Sequence, residues 1–124
     1  MSEEFLPLPM AAAVAYVRLV SHEDRGSASE GLLDVVASAL SVWVPVYGGT
    51  PRVRLADELV ARGRLCNGAT RLRFRDGTPP LENLAILQSD LEPGIRRLER
   101  AGVRFSDAIL EQAPRRLPRV LPTT

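Results

Sequence analysis

Three features predict an α+β fold: a small helical bundle packed on a two-stranded antiparallel hairpin, with an extended C-terminal arm. Two segments open with a serine followed three residues later by a glutamate, and apolar residues at helical spacing follow. "RLRFR" at 71–75 alternates arginine with leucine and phenylalanine, the period of a half-buried strand. The last eleven residues, "PRRLPRVLPTT", hold three prolines and three arginines with no apolar period, as expected for an arm. The expected division is one domain over residues 1–113 and the arm over 114–124.

The first helix is predicted from about Pro9 to Val20, since proline is tolerated at a first helical position. Met10, Val14 and Val17 share one face, and Ala12, Tyr16 and Leu19 nearly the opposite one. A helix apolar all round is either central in a core or shared with a partner. "SHEDRG" ends it. The second helix starts at a capping box, Ser27 with Glu30, and carries Leu32, Val35, Val36, Ala39, Leu40 and Trp43 on one stripe. Asp34, Ser38 and Ser41 fall opposite. Pro45 stops it near Val44, and Trp43 is expected to anchor the core. "VPVYGGTP" reads as a turn-rich link.

A short third helix is expected over about Leu55–Arg62, stopped by Gly63, with "CNG" as a turn. In "TRLRFR", Leu72 and Phe74 face inward and Arg71, Arg73 and Arg75 outward. "DGTPP" is the turn and "LENLAIL" the return strand of the hairpin. A second capping box, Ser89 with Glu92, opens a helix whose stripe is Leu91, Ile95 and Leu98. Gly102 ends it, and Glu92 and Arg96 stand in the favourable order at i,i+4.

A chain of 124 residues buries about two thirds of its unfolded surface, enough for a core without disulfides or metal. The single cysteine, Cys66, rules out an intramolecular disulfide and fits a reducing compartment. The net charge is only +1, but it is unevenly spread. Residues 1–50 carry six acids and two arginines; residues 51–124 carry nine acids and fourteen arginines. Such asymmetry is a signal for an anionic partner. All the cationic residues are arginine. That excludes Schiff-base lysine chemistry and the lysine of a phosphate-binding loop. Compositional bias alone also produces an all-arginine surface. The apolar N-terminal run follows acidic residues and is interrupted by Arg18, unlike a secretory signal or membrane span. A cytoplasmic location is expected.

The side chains offer little chemistry. His22, the only histidine, sits in "SHED" beside a serine and two acids. Neighbours on one loop do not orient each other as triad members must. One histidine and one distant cysteine make no metal motif, and no calcium loop is present. Arg64 lies two residues from Cys66, but a lone cysteine is more often a small buried hydrophobe. No glycine-rich nucleotide motif follows a strand. No catalytic residue, cofactor or metal is therefore expected.

Two surfaces remain. The first reading is a non-enzymatic interaction or assembly factor, self-associating or bound to a protein partner. It would act through the apolar first helix (Tyr16, Leu19), the arm (Arg115, Arg116, Arg119) and a basic surface. The alternative is a winged-helix-like nucleic-acid binder that uses Arg52, Arg54, Arg62, Arg64, Arg71, Arg73 and Arg75. The alternative is opposed by Asp57 and Glu58 at the start of the short third helix, and by the long link before it.

Overall fold

The computed structural model describes residues 4–19 and 30–101. Its fold is α+β, with helices and antiparallel sheets in the order β1 (Phe5–Pro7), α1 (Leu8–Leu19), α2 (Glu30–Ser41), β2 (Tyr47–Gly48), β3 (Val53–Arg54), α3 (Asp57–Arg62), β4 (Arg64–Cys66), β5 (Arg71–Arg73), β6 (Ala85–Leu87) and α4 (Leu91–Arg100). A single 3₁₀ turn, Gln88–Asp90, joins β6 to α4.

Two sheets form. β1, β6, β2 and β3 make a four-stranded antiparallel sheet in that order, and β4 pairs with β5 alone. The larger sheet is not evident from the sequence. Its strands are two or three residues long, too short to show a period. It ties β1, at the start of the described chain, to β6, just before the last helix: Leu6 pairs with Ile86, and Pro7 with Ala85. Pro7 is tolerated because β1 is an edge strand. The link expected at 44–51 supplies β2 and most of the turn to β3, which follows it.

The hairpin expected between 71–75 and 81–87 is not the one formed. β5 pairs with β4 across the turn at 67–70, with Arg64 opposite Arg73, Leu65 opposite Leu72 and Cys66 opposite Arg71. Beyond "DGTPP", only a single bridge, Leu72 to Leu81, forms before the chain leaves for the other sheet. Alternation specifies the inward face of a strand but not its partner. Leu72 is buried as expected.

The core lies between α1, α2, α4 and the sheets. Leu8, Ala11, Ala12, Ala15 and Tyr16 of α1 meet Val36, Ala37 and Leu40 of α2, with Ile86, Ile95 and Leu98 closing the cluster. Close approach of α4 to α2 depends on Gly94. A Cβ there would stand 2.7 Å from Val44 Cγ1 and 3.0 Å from Leu40 Cδ1.

Three expectations about single residues are corrected here. Trp43 is not in the core. α2 ends at Ser41, the chain turns through Val42 and Trp43, and Trp43 is 39% exposed. Val44 takes the core position instead. Helical phase carried past the real end of the helix had put Trp43 on the stripe. Asp34 does not face solvent. It is 3% exposed, and its Oδ1 accepts a 2.6 Å hydrogen bond from the Ala69 N–H. Ser89 is not a cap. It lies in the 3₁₀ turn, and Asp90 holds the N-cap position of α4 without a side-chain bond. The Ser27 cap, Gly102 and the arm lie outside the described residues, as does the proposed domain boundary.

Candidate interaction surfaces

α1 presents two faces of different character. Its inner face, including Tyr16 at 3% exposure, is packed in the core, and Leu19 is half-buried. Tyr16 is therefore not available to a partner, which corrects the face assigned from sequence. Met10, Val14 and Val17 face outward. They are 56%, 39% and 49% exposed. At the C-terminal end of α1, Arg18 forks onto Glu92 of α4, with Nη1 to Oε1 at 2.6 Å and Nη2 to Oε2 at 3.3 Å.

The seven arginines between 52 and 75 divide. Arg52 donates to the Asn83 carbonyl and side-chain oxygens at 2.9 and 2.6 Å and stacks on Phe5. Arg71 donates to Glu82 through Nε at 2.9 Å and a second nitrogen. Arg54 opens on a different concavity. The remaining four, Arg62, Arg64, Arg73 and Arg75, line one open groove with Gly63, Cys66 and Phe74.

Two local features build this groove. Gly63 ends α3 and starts the hairpin, and a Cβ there would stand 2.6 Å from Leu72 Cγ and 2.9 Å from Phe74 Cε1. Only glycine lets β5 approach this closely, so Arg62 and Arg64 flank the contact on one side and Arg73 and Arg75 on the other. The inward Leu65–Leu72 pair then forces Arg64 and Arg73 onto the outer face, directly across the ladder. Like charges directly opposed in a strand pair destabilise it. Arg62 lies 5.7 Å over the Phe74 ring and 3.5 Å from Asp76, a contact between exposed groups. Asp76 is held below the usual carboxylate range, first by the Thr78 hydroxyl and then by the Thr78 N–H. Among the described residues, no carboxylate pairs with Arg64, Arg73 or Arg75. Cys66 is a free, half-buried thiol in the groove wall.

The second concavity, of about 550 Å³ and the one on which Arg54 opens, is not evident from the sequence. Val42, Trp43, Val60, Leu65 and Leu72 give it an apolar lining, and Arg54 and Asp57 are the charged groups in its wall. Arg97 of α4 lies 5.9 Å over the Trp43 ring. Helical periodicity hides it, because a stripe extended past Ser41 places Trp43 in the core.

His22, Arg115, Arg116 and Arg119 fall outside the described residues. Among those described, no group of histidine, cysteine, aspartate and glutamate is placed to hold a metal ion. No described helix is long and apolar enough to cross a membrane. No family model matches the chain, and neither a curated protein nor a solved structure shows similarity to it.

Proposed function

We propose that this chain is a non-enzymatic interaction or assembly factor that self-associates through the outward face of α1. The observation that carries the reading is the exposed row Met10, Val14, Val17. Its spacing, four then three, is that of a helix–helix seam, in which each apolar side chain enters a hole on the facing helix. The opposite face of α1 already fills the core, and this row leaves a substantial apolar area exposed. A second copy offers the same row. Two such rows meeting about a two-fold axis form a self-complementary contact. The non-enzymatic part of the reading rests on composition: no lysine is present for Schiff-base chemistry, and the chain has a single histidine and a single cysteine.

Sedimentation velocity over a concentration series tests the reading. The wild-type chain is expected to shift from monomer towards dimer as concentration rises, and Val14→Glu to stay monomeric with its fold intact. A wild-type chain that stays monomeric throughout, or a Val14→Glu chain that dimerises equally well, refutes it.

A further inference from the structure

We propose that the arginine groove on the outer face of the β4–β5 hairpin is a binding site for the phosphate backbone of duplex nucleic acid. Four guanidinium groups, those of Arg62, Arg64, Arg73 and Arg75, line it, and Asp76 is the one carboxylate paired with any of them among the described residues. Arg64 and Arg73 oppose each other across the ladder. Their repulsion is a standing cost of the free hairpin, and an anion bridging both forks removes it.

The shape of the groove selects among anions. It is open and large, about 1210 Å³. A single small anion needs a tight cluster of donors, and the usual small-ligand pocket is smaller and more enclosed. The groove instead spreads its cations over two strands and the end of α3, as a polyanion requires. An acidic protein segment is the other polyanion. Protein interfaces, however, rest on a desolvated apolar centre. The one aromatic ring here, Phe74, stands among four arginines, with the Arg62 guanidinium 5.7 Å over it, so the groove has a charged centre rather than an apolar one. With a single aromatic ring in its lining, the groove lacks the succession of stacking platforms on which an unpaired strand is held, which favours a duplex over a single strand. The three-residue strands are too short to carry their arginines into a groove, where a guanidinium would read guanine, and the lining has no asparagine or glutamine to read adenine. Contacts therefore fall on phosphates, and binding carries little sequence preference.

Fluorescence anisotropy with a labelled, random-sequence DNA duplex tests this on the full chain, with poly-glutamate of equal charge as the second probe. For the wild type, log affinity is expected to fall linearly with log salt. Arg64→Gln with Arg73→Gln should weaken binding at least tenfold at low salt and reduce the slope by about two, one for each lost phosphate contact. Arg52→Gln, outside the groove, should leave both unchanged. If the double variant fails to melt cooperatively, Arg62→Gln with Arg75→Gln takes its place with the same expected loss. An unchanged slope in the groove variant overturns the proposal. So does poly-glutamate binding as tightly as the duplex, which would assign the groove to an acidic protein.

Discussion

The Asp34 carboxylate on α2 accepts the backbone N–H of Ala69 at 2.6 Å, across 35 residues of chain. Ala69 is the last of three consecutive left-handed residues, after Asn67 and Gly68, with φ of 66°, 56° and 68°. Glycine adopts this conformation freely and asparagine tolerates it, but alanine is strained there. The buried carboxylate gives the Ala69 N–H its partner and so fixes the β4–β5 turn against α2. Asp34→Ala leaves that N–H without its carboxylate acceptor. The expected loss is about 1.5–3 kcal/mol, the range for a hydrogen bond to a charged group. Urea unfolding checks it, and a loss under about 0.5 kcal/mol, typical of an uninvolved surface site, contradicts it.

Trp43 emission is expected to lie near that of a solvated indole and to be readily quenched by acrylamide. The residue is 39% exposed and lies beside the cavity rather than in the core. Trp43→Ala should cost about 1 kcal/mol, mainly the contact with Arg97. Leu40→Ala, at a fully buried position, should cost about 2–5 kcal/mol. A blue-shifted, unquenchable emission would return Trp43 to the core.

Gly63→Ala should destabilise the domain by about 1–3 kcal/mol through overpacking. Gly63 has a φ of −88°, so alanine meets no backbone strain there. The cost is the added methyl, placed 2.6 Å from Leu72 and 2.9 Å from Phe74. Leu72→Ala should restore part of the loss in the double variant, because it vacates the same space. Purely additive costs in that cycle would show that the two side chains do not meet.

The helices are legible from the sequence because each buries a stripe that its own spacing reveals. In α4, Ile95 and Leu98 are core residues as the stripe requires, and α1 begins within one residue of its expected start. Strand pairing is not legible. Leu72 and Arg73 alternate identically whether β5 pairs with β4 or β6, and the choice depends on contacts distant in sequence. Asp34 is opaque for the same reason, since its partner belongs to another element. The arginines are visible only as a cluster. That four share a groove while Arg52 and Arg71 are engaged elsewhere follows from Gly63, Asn83 and Glu82, whose roles no local pattern shows.

The Arg18–Glu92 pair makes α1–α4 docking sensitive to acid. Glu92 is held below the usual glutamate range, chiefly by the hydrogen bond from Arg18, against an opposing desolvation, with smaller help from the charges of Arg18 and Arg96. A carboxylate lowered in the folded state stabilises the fold above its unfolded pKa and loses that contribution as pH falls through the folded value. The wild type should therefore melt higher than Glu92→Gln at neutral pH. The two Tm values should converge as pH drops below the glutamate range. Both groups are exposed, so added salt should narrow the gap at neutral pH. A Tm difference independent of pH would assign the effect to packing.

Arg73→Glu should make the hairpin more stable. In the wild type, Arg64 and Arg73 stand directly across the ladder on its outer face, with no described carboxylate paired with either. Like charges at such a site oppose pairing, while opposite charges favour it by about 0.2–1 kcal/mol. The substitution replaces the first arrangement with the second and leaves the inward Leu65–Leu72 pair untouched. Arg64→Glu should act equally, and the two together should return to a repelling pair with no net gain. The gain should shrink as salt rises, because exposed charges are screened within about 10 Å at 0.1 M ionic strength. Thermal melts of the three variants at two salt concentrations measure the cycle. If both single variants lose stability, the arginines support the hairpin rather than strain it, and the argument that an anion relieves them loses its footing.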